Sequence, residues 1–321
     1  MPTAERATLA VVIPIYDEEH NLAELRERLA RACGRLADID WRVLYVDDGS
    51  RDRSRELLLR QHAEDARFTV IELSRNFGHQ SAVTAGLAHA DADAVVLMDG
   101  DLQDPPEVIP DLVAAWRAGG QVVLAVRRSR ADRGLRGLLL AGFHGVFQWV
   151  SDFPIERDTG IFCLLDRKAH AALRSLGESH RFLPGLQSWI GFERRSVEYD
   201  RGARAAGEPK QSYRRLVRYA LDAIFGFSYK PLRLMTVSGL CVSAFGFLLA
   251  AFFIVRRLLG IEIAQIGFTT LITMVLFLGG LQLIAIGLLG EYLGRIYDEV
   301  KGRPLYIVSR RHGVPPPGPG A

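Results

Sequence analysis

The chain has 321 residues, 49% of them hydrophobic, and its 40 basic and 37 acidic side chains leave a net charge of +3. That near balance excludes a polycation whose field alone would recruit nucleic acid. Cys33, Cys163 and Cys241 are odd in number and far apart, which excludes a disulfide framework or a metal knuckle and fits a reducing compartment.

The amino-terminal stretch MPTAERATL is polar, so no signal peptide is expected. Residues 9–16 read as the first strand. Asn21 opens a helix, with Glu24 in the capping-box position and Leu22, Leu25, Leu29, Cys33 and Leu36 recurring on one face. A second strand, 42–46, runs into Asp47-Asp48-Gly49-Ser50, and a polar helix from Asp52 leads to a third strand, 68–73. A helix over 80–89 precedes a short apolar strand, 94–98, which runs straight into Asp99, Asp101 and Asp104. Pro105-Pro106 opens the next helix, and 122–126 is a fifth strand.

This βαβα order predicts a parallel sheet covered by helices, with ligands at the carboxyl ends of the strands. Those ends carry Tyr16-Asp17-Glu18, Asp47-Asp48, Ser74-Arg75-Asn76 and Asp99-Gly100-Asp101. One polar turn is ordinary, but four at one edge describe a crevice. Carboxylates after the 94–98 strand suit a divalent cation carrying a diphosphate, since hard cations prefer oxygen ligands. The plainer alternative is that Asp99-Gly100 merely caps the strand. Arg127, Arg128 and Arg130 follow the fifth strand, placed either to clamp a phosphate or to lie as a solvated charge run. No G-x-G-x-x-G follows the first strand and no G-x-x-x-x-G-K-[ST] loop occurs, which disfavours a dinucleotide dehydrogenase and a P-loop NTPase.

Beyond residue 212 the pattern changes. Residues 214–227 carry an apolar stripe of Leu216, Val217, Ala220, Leu221, Ile224 and Phe225, the signature of a helix lying in a membrane surface or packed on the soluble domain. Residues 234–255 and 266–290 contain no charged residue, and each exceeds the ~20 residues needed to span a hydrocarbon core. Arg214, Arg215, Arg218, Lys230 and Arg233 precede this pair, and Arg295, Lys301, Arg303, Arg310 and Arg311 follow it. The connection holds only Arg256, Arg257 and Glu262, so both termini are expected in the cytoplasm. The expected organisation is a catalytic domain over 1–212, an interfacial linker over 213–231, a two-helix membrane hairpin over 232–292 and a cytoplasmic tail over 293–321, ending in a disordered VPPPGPGA.

The motifs VVIPIYDEEHNL, VDDGSRDRS, LSRNFGHQSAVTAGL, LMDGDLQDPPEVIP, RDTGIFCLLDR, RAAGEPKQSY and GLLGEYLGRIYDEVKGRPLYIV occur in that order. The chain resembles the family 2 glycosyltransferases of GT-A fold, and within them the polyprenyl-phosphate glycosyltransferases of the dolichyl-phosphate mannose synthase and bacterial undecaprenyl-phosphate type. The resemblance covers nearly the whole chain. It implies a membrane-bound, metal-dependent, inverting transfer from a nucleotide sugar, UDP-linked by analogy with bacterial relatives, to polyprenyl phosphate. The product would be a lipid-linked monosaccharide for cell-envelope glycans.

The same resemblance assigns Pro14, Tyr16, Glu18, Asp47, Asp48, Asn76 and Asp99 to the nucleotide sugar, with Asp47 or Asp48 reading the base. It places Asp99, Asp101 and Gln103 on Mg²⁺ or Mn²⁺. It names Asp101 and Asp158 as catalytic, Asp158 at the position usually given to a base. Arg204 and Lys210, with Arg127 and Arg130, would face the acceptor phosphate. Two departures stand out: His79 replaces a frequent lysine or glutamine, and GEPKQSY replaces G-E-S-K-Y, keeping the loop's charge while Pro209 and Gln211 stand in place of its Ser and Tyr. A phosphate monoester is mostly dianionic at neutral pH, so Asp158 is expected to orient the acceptor or metal as much as to remove a proton.

A processive polysaccharide synthase would carry Q-x-x-R-W, and the nearest string, Gln187-Ser188-Trp189, lacks the arginine. A non-catalytic nucleotide-sugar binding module would be expected to have lost the acidic motif, which is present. Association of copies through the membrane anchor is left open by the sequence.

Overall fold

The computed structural model describes residues 6–128, 159–179, 181–200, 230–259 and 268–315. In chain order the elements are β1 (Ala7–Ile15), α1 (Leu22–Cys33), β2 (Ile39–Asp47), α2 (Ser54–Glu64), β3 (Phe68–Leu73), α3 (His79–His89) and β4 (Ala94–Leu97). A 3-10 turn, Pro106–Val108, leads into α4 (Ile109–Arg117), followed by β5 (Val122–Arg127), β6 (Thr159–Asp166), α5 (Arg167–Ser175), α6 (Leu183–Trp189) and β7 (Arg194–Tyr199). Two long helices, α7 (Lys230–Leu258) and α8 (Phe268–Lys301), precede β8 (Val308–His312).

The strands make one sheet in the order β7-β5-β6-β4-β1-β2-β3-β8. The pairs β1–β2, β1–β4, β2–β3 and β5–β7 are parallel, while β6 runs antiparallel to both β4 and β5. The central strands are buried on both faces, which is why they read as continuous apolar runs rather than alternating ones. One face packs Leu22, Leu25 and Leu29 of α1, Leu58 of α2 and Leu112 of α4 against Val11, Ile13, Val43 and Val96. The other packs Ala82 and Val83 of α3, Leu173 of α5 and Leu186 of α6 against Val12, Val46, Val95 and Cys163. Helix α3 lies so close that a Cβ on Gly86 would stand 2.2 Å from Val12 Cγ1. The architecture is the expected mainly parallel sheet with helices on both faces.

Register brings the strand ends level. Ile15 pairs with Asp47, and Asp47 with Glu72, so β1, β2 and β3 finish side by side.

Two local expectations are corrected. Asn21 and Glu24 form no capping box, because Asn21 already has helical torsions (φ −99°, ψ −21°) and makes no side-chain cap bond. Its Nδ2 instead donates to Glu18 Oε2 at 2.6 Å, and Glu24 pairs with Arg28 at 3.3 Å. The stretch after α8 is more than a tail: β8 pairs antiparallel with β3 and becomes the edge strand on that side of the sheet. Residues 201–229, which include the expected interfacial helix, lie outside the described residues, as do 316–321.

Helices α7 and α8 expose large apolar side chains that a water-facing surface would hide, including Leu240, Phe247, Leu248, Leu283, Ile284 and Leu293. Among the described residues, Phe277–Lys301 is long and apolar enough to cross a membrane, and Leu232–Leu248 is a shorter apolar stretch.

Candidate active site

The polar strand ends are tied to one another across the edge of the sheet. After β1, the Asp17 N–H donates to Ser50 Oγ at 3.2 Å, and Asp17 Oδ1 accepts from the Arg51 N–H at 2.7 Å. Asp17 takes the left-handed conformation, φ 53°, at this crossing. The Glu18 N–H donates to Ser54 Oγ at 2.9 Å. These bonds fix the β1 turn against the β2 turn.

Asp48 then joins β2 to the loop after β3. Its Oδ1 accepts from the Phe77 N–H at 2.7 Å and its Oδ2 from the Gly78 N–H at 2.9 Å. Burial pushes this carboxyl up, and the two N–H groups work against that shift. Asp47 accepts from the Ser50 N–H at 3.1 Å, and burial raises its pKa too. Both aspartates are almost fully covered, at 2% and 3% exposure. Gly49, directly after them, has φ +70°, and a Cβ there would meet the Arg75 carbonyl carbon at 2.7 Å and the Asn76 nitrogen at 2.8 Å. Only glycine permits that approach.

The β3 loop in turn meets β4. His79 Nε2 lies 2.7 Å from Asp99 Oδ1. Burial alone would lower the imidazole's pKa, but the Asp99 hydrogen bond and charge, with Asp48 and Asp101 behind them, hold it above its ordinary value. Gly100 lets β4 close on β1, since a Cβ would stand 2.5 Å from Ile15 Cδ1. Leu102 is left-handed at φ 62°, and the Gln103 N–H donates to Asp101 Oδ1 at 3.1 Å.

The last link runs from the acidic loop to β5 and β7. Tyr199 Oη donates to Asp104 Oδ1 at 2.7 Å, and Arg127 Nε donates to Tyr199 Oη at 3.1 Å. Burial, and then the charge of Asp99, push the Asp104 carboxyl up.

The structure therefore brings Tyr16, Glu18, Asp47, Asp48, Asn76, Asp99, Asp101 and Gln103 to one edge, with Pro14 buried in β1 beneath them. It gives Asp48 a job the sequence reading did not: both oxygens hold loop backbone. Arg127 faces Tyr199, and the exposed Arg128 pairs with Glu198 at 3.3 Å and Asp200 at 3.5 Å. Arg130, Asp158, Arg204 and Lys210 lie outside the described residues. Tyr199 is the residue that sequence reasoning missed. The string RRSVEY is a polar strand with a single buried position, and that position is Tyr199.

The glycosyl transferase family 2 model matches residues 10–172. The chain belongs to that family. The transferase is 40% identical over 306 residues to the uncharacterized glycosyltransferase YkcC of Bacillus subtilis, covering 95% of this chain and 94% of that one. It is 40% identical over 308 residues to the uncharacterized glycosyltransferase sll0501 of Synechocystis, covering 95% and 96%. The bactoprenol glucosyl transferase of Shigella phage SfII is 37% identical over 305 residues, 95% of this chain and 98% of that one. Among solved structures, the mannosyltransferase PcManGT from Pyrobaculum calidifontis, in complex with GDP-Man and Mn²⁺, matches with a TM-score of 0.48 at 18% identity, over 72% of this chain and 65% of that one.

Proposed function

We propose that the transferase moves a sugar from a nucleoside diphosphate sugar, UDP-linked, to the phosphate of a membrane polyprenyl phosphate. The carrying observation is the hydrogen-bonded row of strand ends, with Asp99 and Asp101 beside His79, in a chain that continues into an exposed apolar helix. Relatives named as bactoprenol glucosyl transferases support the choice of acceptor.

Asp99, Asp101 and Gln103 are assigned to a divalent cation. Among the described residues no group of three or more His, Cys, Asp or Glu side chains is arranged to hold a metal by itself. Two carboxylates and an amide oxygen nevertheless fit Mg²⁺ or Mn²⁺, which are commonly held by one or two carboxylates with substrate phosphates completing the shell. When bound, the ion would neutralise charge developing on the departing diphosphate. We assign contact with the base to Asp47, since Asp48 already holds the 77–78 backbone.

In the reaction a phosphate oxygen of the lipid attacks the anomeric carbon, and the bond from that carbon to the diphosphate breaks with inversion. The attacking oxygen is already anionic at neutral pH, so Asp158 is assigned to orient the acceptor. Arg127, Arg130, Arg204 and Lys210 are assigned to the acceptor side.

Sheet closure bears on topology. Residues before 200 and residues 308–312 share one sheet, so both lie on one side of any membrane. A bilayer crossing by α8 then requires a second crossing between residues 200 and 308. Helix α7 is the candidate for that crossing in a two-pass anchor, and the basic residues flanking the pair, not the sheet, are the reason for assigning the shared face to the cytoplasm.

The test is turnover by purified protein given undecaprenyl phosphate, Mg²⁺ and a panel of UDP- and GDP-sugars. Release of nucleoside diphosphate that needs both the lipid and one particular sugar supports the proposal. Sugar binding without release favours a binding module. Products longer than one sugar favour a processive synthase.

A further inference from the structure

The Asp104–Tyr199–Arg127 network has no part in the assignments above beyond Arg127 itself. Asp104 is 1% exposed and Tyr199 4% exposed, so their hydrogen bond is sealed from water. Arg127 completes the group from above: Nε donates to Tyr199 Oη, and Nη2 lies 3.7 Å from Asp104 Oδ1. Asp104 Oδ2 is buried with no hydrogen-bond partner among the described residues. A buried carboxylate with one unsatisfied oxygen is costly, and its presence beside a functional loop calls for a reason.

Location supplies that reason. Asp104 closes the loop that carries Asp99 and Asp101. Tyr199 ends β7, and Arg127 ends β5, facing it in parallel register. Arg127 Nη2 also abuts the start of β6, where a Cβ on Gly160 would come within 3.0 Å of it. Asp158 lies two residues before Gly160 in the chain. The three side chains therefore tie the acidic loop to the strand that follows Asp158.

We infer that Tyr199 and Asp104 are positioning residues, fixing the Arg127 guanidinium so that the donor-side acidic loop and the acceptor side keep one spacing. This rests on the assignment of Arg127 to the acceptor phosphate. Tyr199→Phe is the selective probe, because it removes one hydroxyl and keeps the ring edge-on to Phe162 at 5.5 Å. In the full chain it is expected to raise the KM for polyprenyl phosphate about tenfold, the scale of one charge-assisted hydrogen bond, with the donor KM within about twofold. Arg127→Lys cannot keep both contacts, so adding Tyr199→Phe to it is expected to cost little more. Amide exchange in residues 101–108 and 160–163 is expected to quicken in Tyr199→Phe. Equal changes in both KM values, full additivity in the double variant, or unchanged exchange would each overturn the inference. If the wild type turns over no acceptor, the transferase reading fails separately, and the exchange measurement still decides whether the network orders these segments.

Discussion

Glu72 Oε1 and His312 Nε2 lie 2.9 Å apart although 240 residues separate them. Glu72 is buried on β3, and its other oxygen accepts from Arg55 Nε at 2.9 Å. The pair fastens β8 to β3, and the Ser74 N–H adds a bond to the Ile307 carbonyl at 2.9 Å just where the loop to α3 begins. Residues 307–312 are thus part of the platform that carries Asn76 and His79.

Removing residues 303–321 is therefore expected to lower the melting temperature of the full-length protein by about 5 °C or more and to weaken donor binding. Acidity acts on the same contact. Burial tends to raise the Glu72 carboxyl, but hydrogen bonds from Arg55 and His312 outweigh it and hold the pKa below the ordinary 4.5. A carboxylate depressed in the folded state stabilises fully above its unfolded value, and that contribution is lost as pH falls through the folded one. Glu72→Gln should melt below wild type at neutral pH, and the gap should close on acidification below about 4.5. A gap that stays constant across pH would count against this.

Asp48 and Asp47 should separate on mutation. Asp48→Ala strands two backbone N–H groups and is expected to cost about 2 kcal/mol of stability, measured by denaturant unfolding. Asp47→Asn should change nucleotide affinity more than stability, measured by calorimetry with UDP. Equal effects of the two changes on UDP affinity would contradict the division.

Under the proposed cation assignment, the His79 contact at 2.7 Å would orient Asp99, as outer partners of metal-binding carboxylates commonly do. His79→Ala is expected to weaken Mn²⁺ binding about tenfold, followed by electron paramagnetic resonance, and His79→Gln to restore much of it. Unchanged Mn²⁺ affinity in the alanine variant would remove His79 from the site.

Asp158→Asn should lose activity to the same extent at about pH 6 and about pH 8.5, because a phosphate acceptor with its second pKa near 6 needs little help to ionise. Recovery at the higher pH would show that Asp158 acts as a base.

Much of this was legible from residue order. Strand β3 falls on the expected 68–73, and the acidic loop follows β4 as its apolar run implies. Strands β7 and β8 escaped because edge strands carry charge on their open faces: RRSVEY and VSRRH show almost no apolar alternation. The adjacent Asp47 and Asp48 look alike in a sequence, and only the position of the Phe77 and Gly78 backbone tells them apart. Tyr199 was hidden for a related reason, since its partners Asp104 and Arg127 are 95 and 72 residues away.

Because β8 follows every other described strand in the chain and covers the β3 edge of the sheet, residues before 308 cannot complete the described sheet. During synthesis the edge of β3 stays bare until α8 and residues 308–312 have been made. A chain that stops early, or whose α8 is misplaced, keeps an open sheet edge able to pair with other strands. Pairing of β8 with β3 thus requires that all of α8 has already been made.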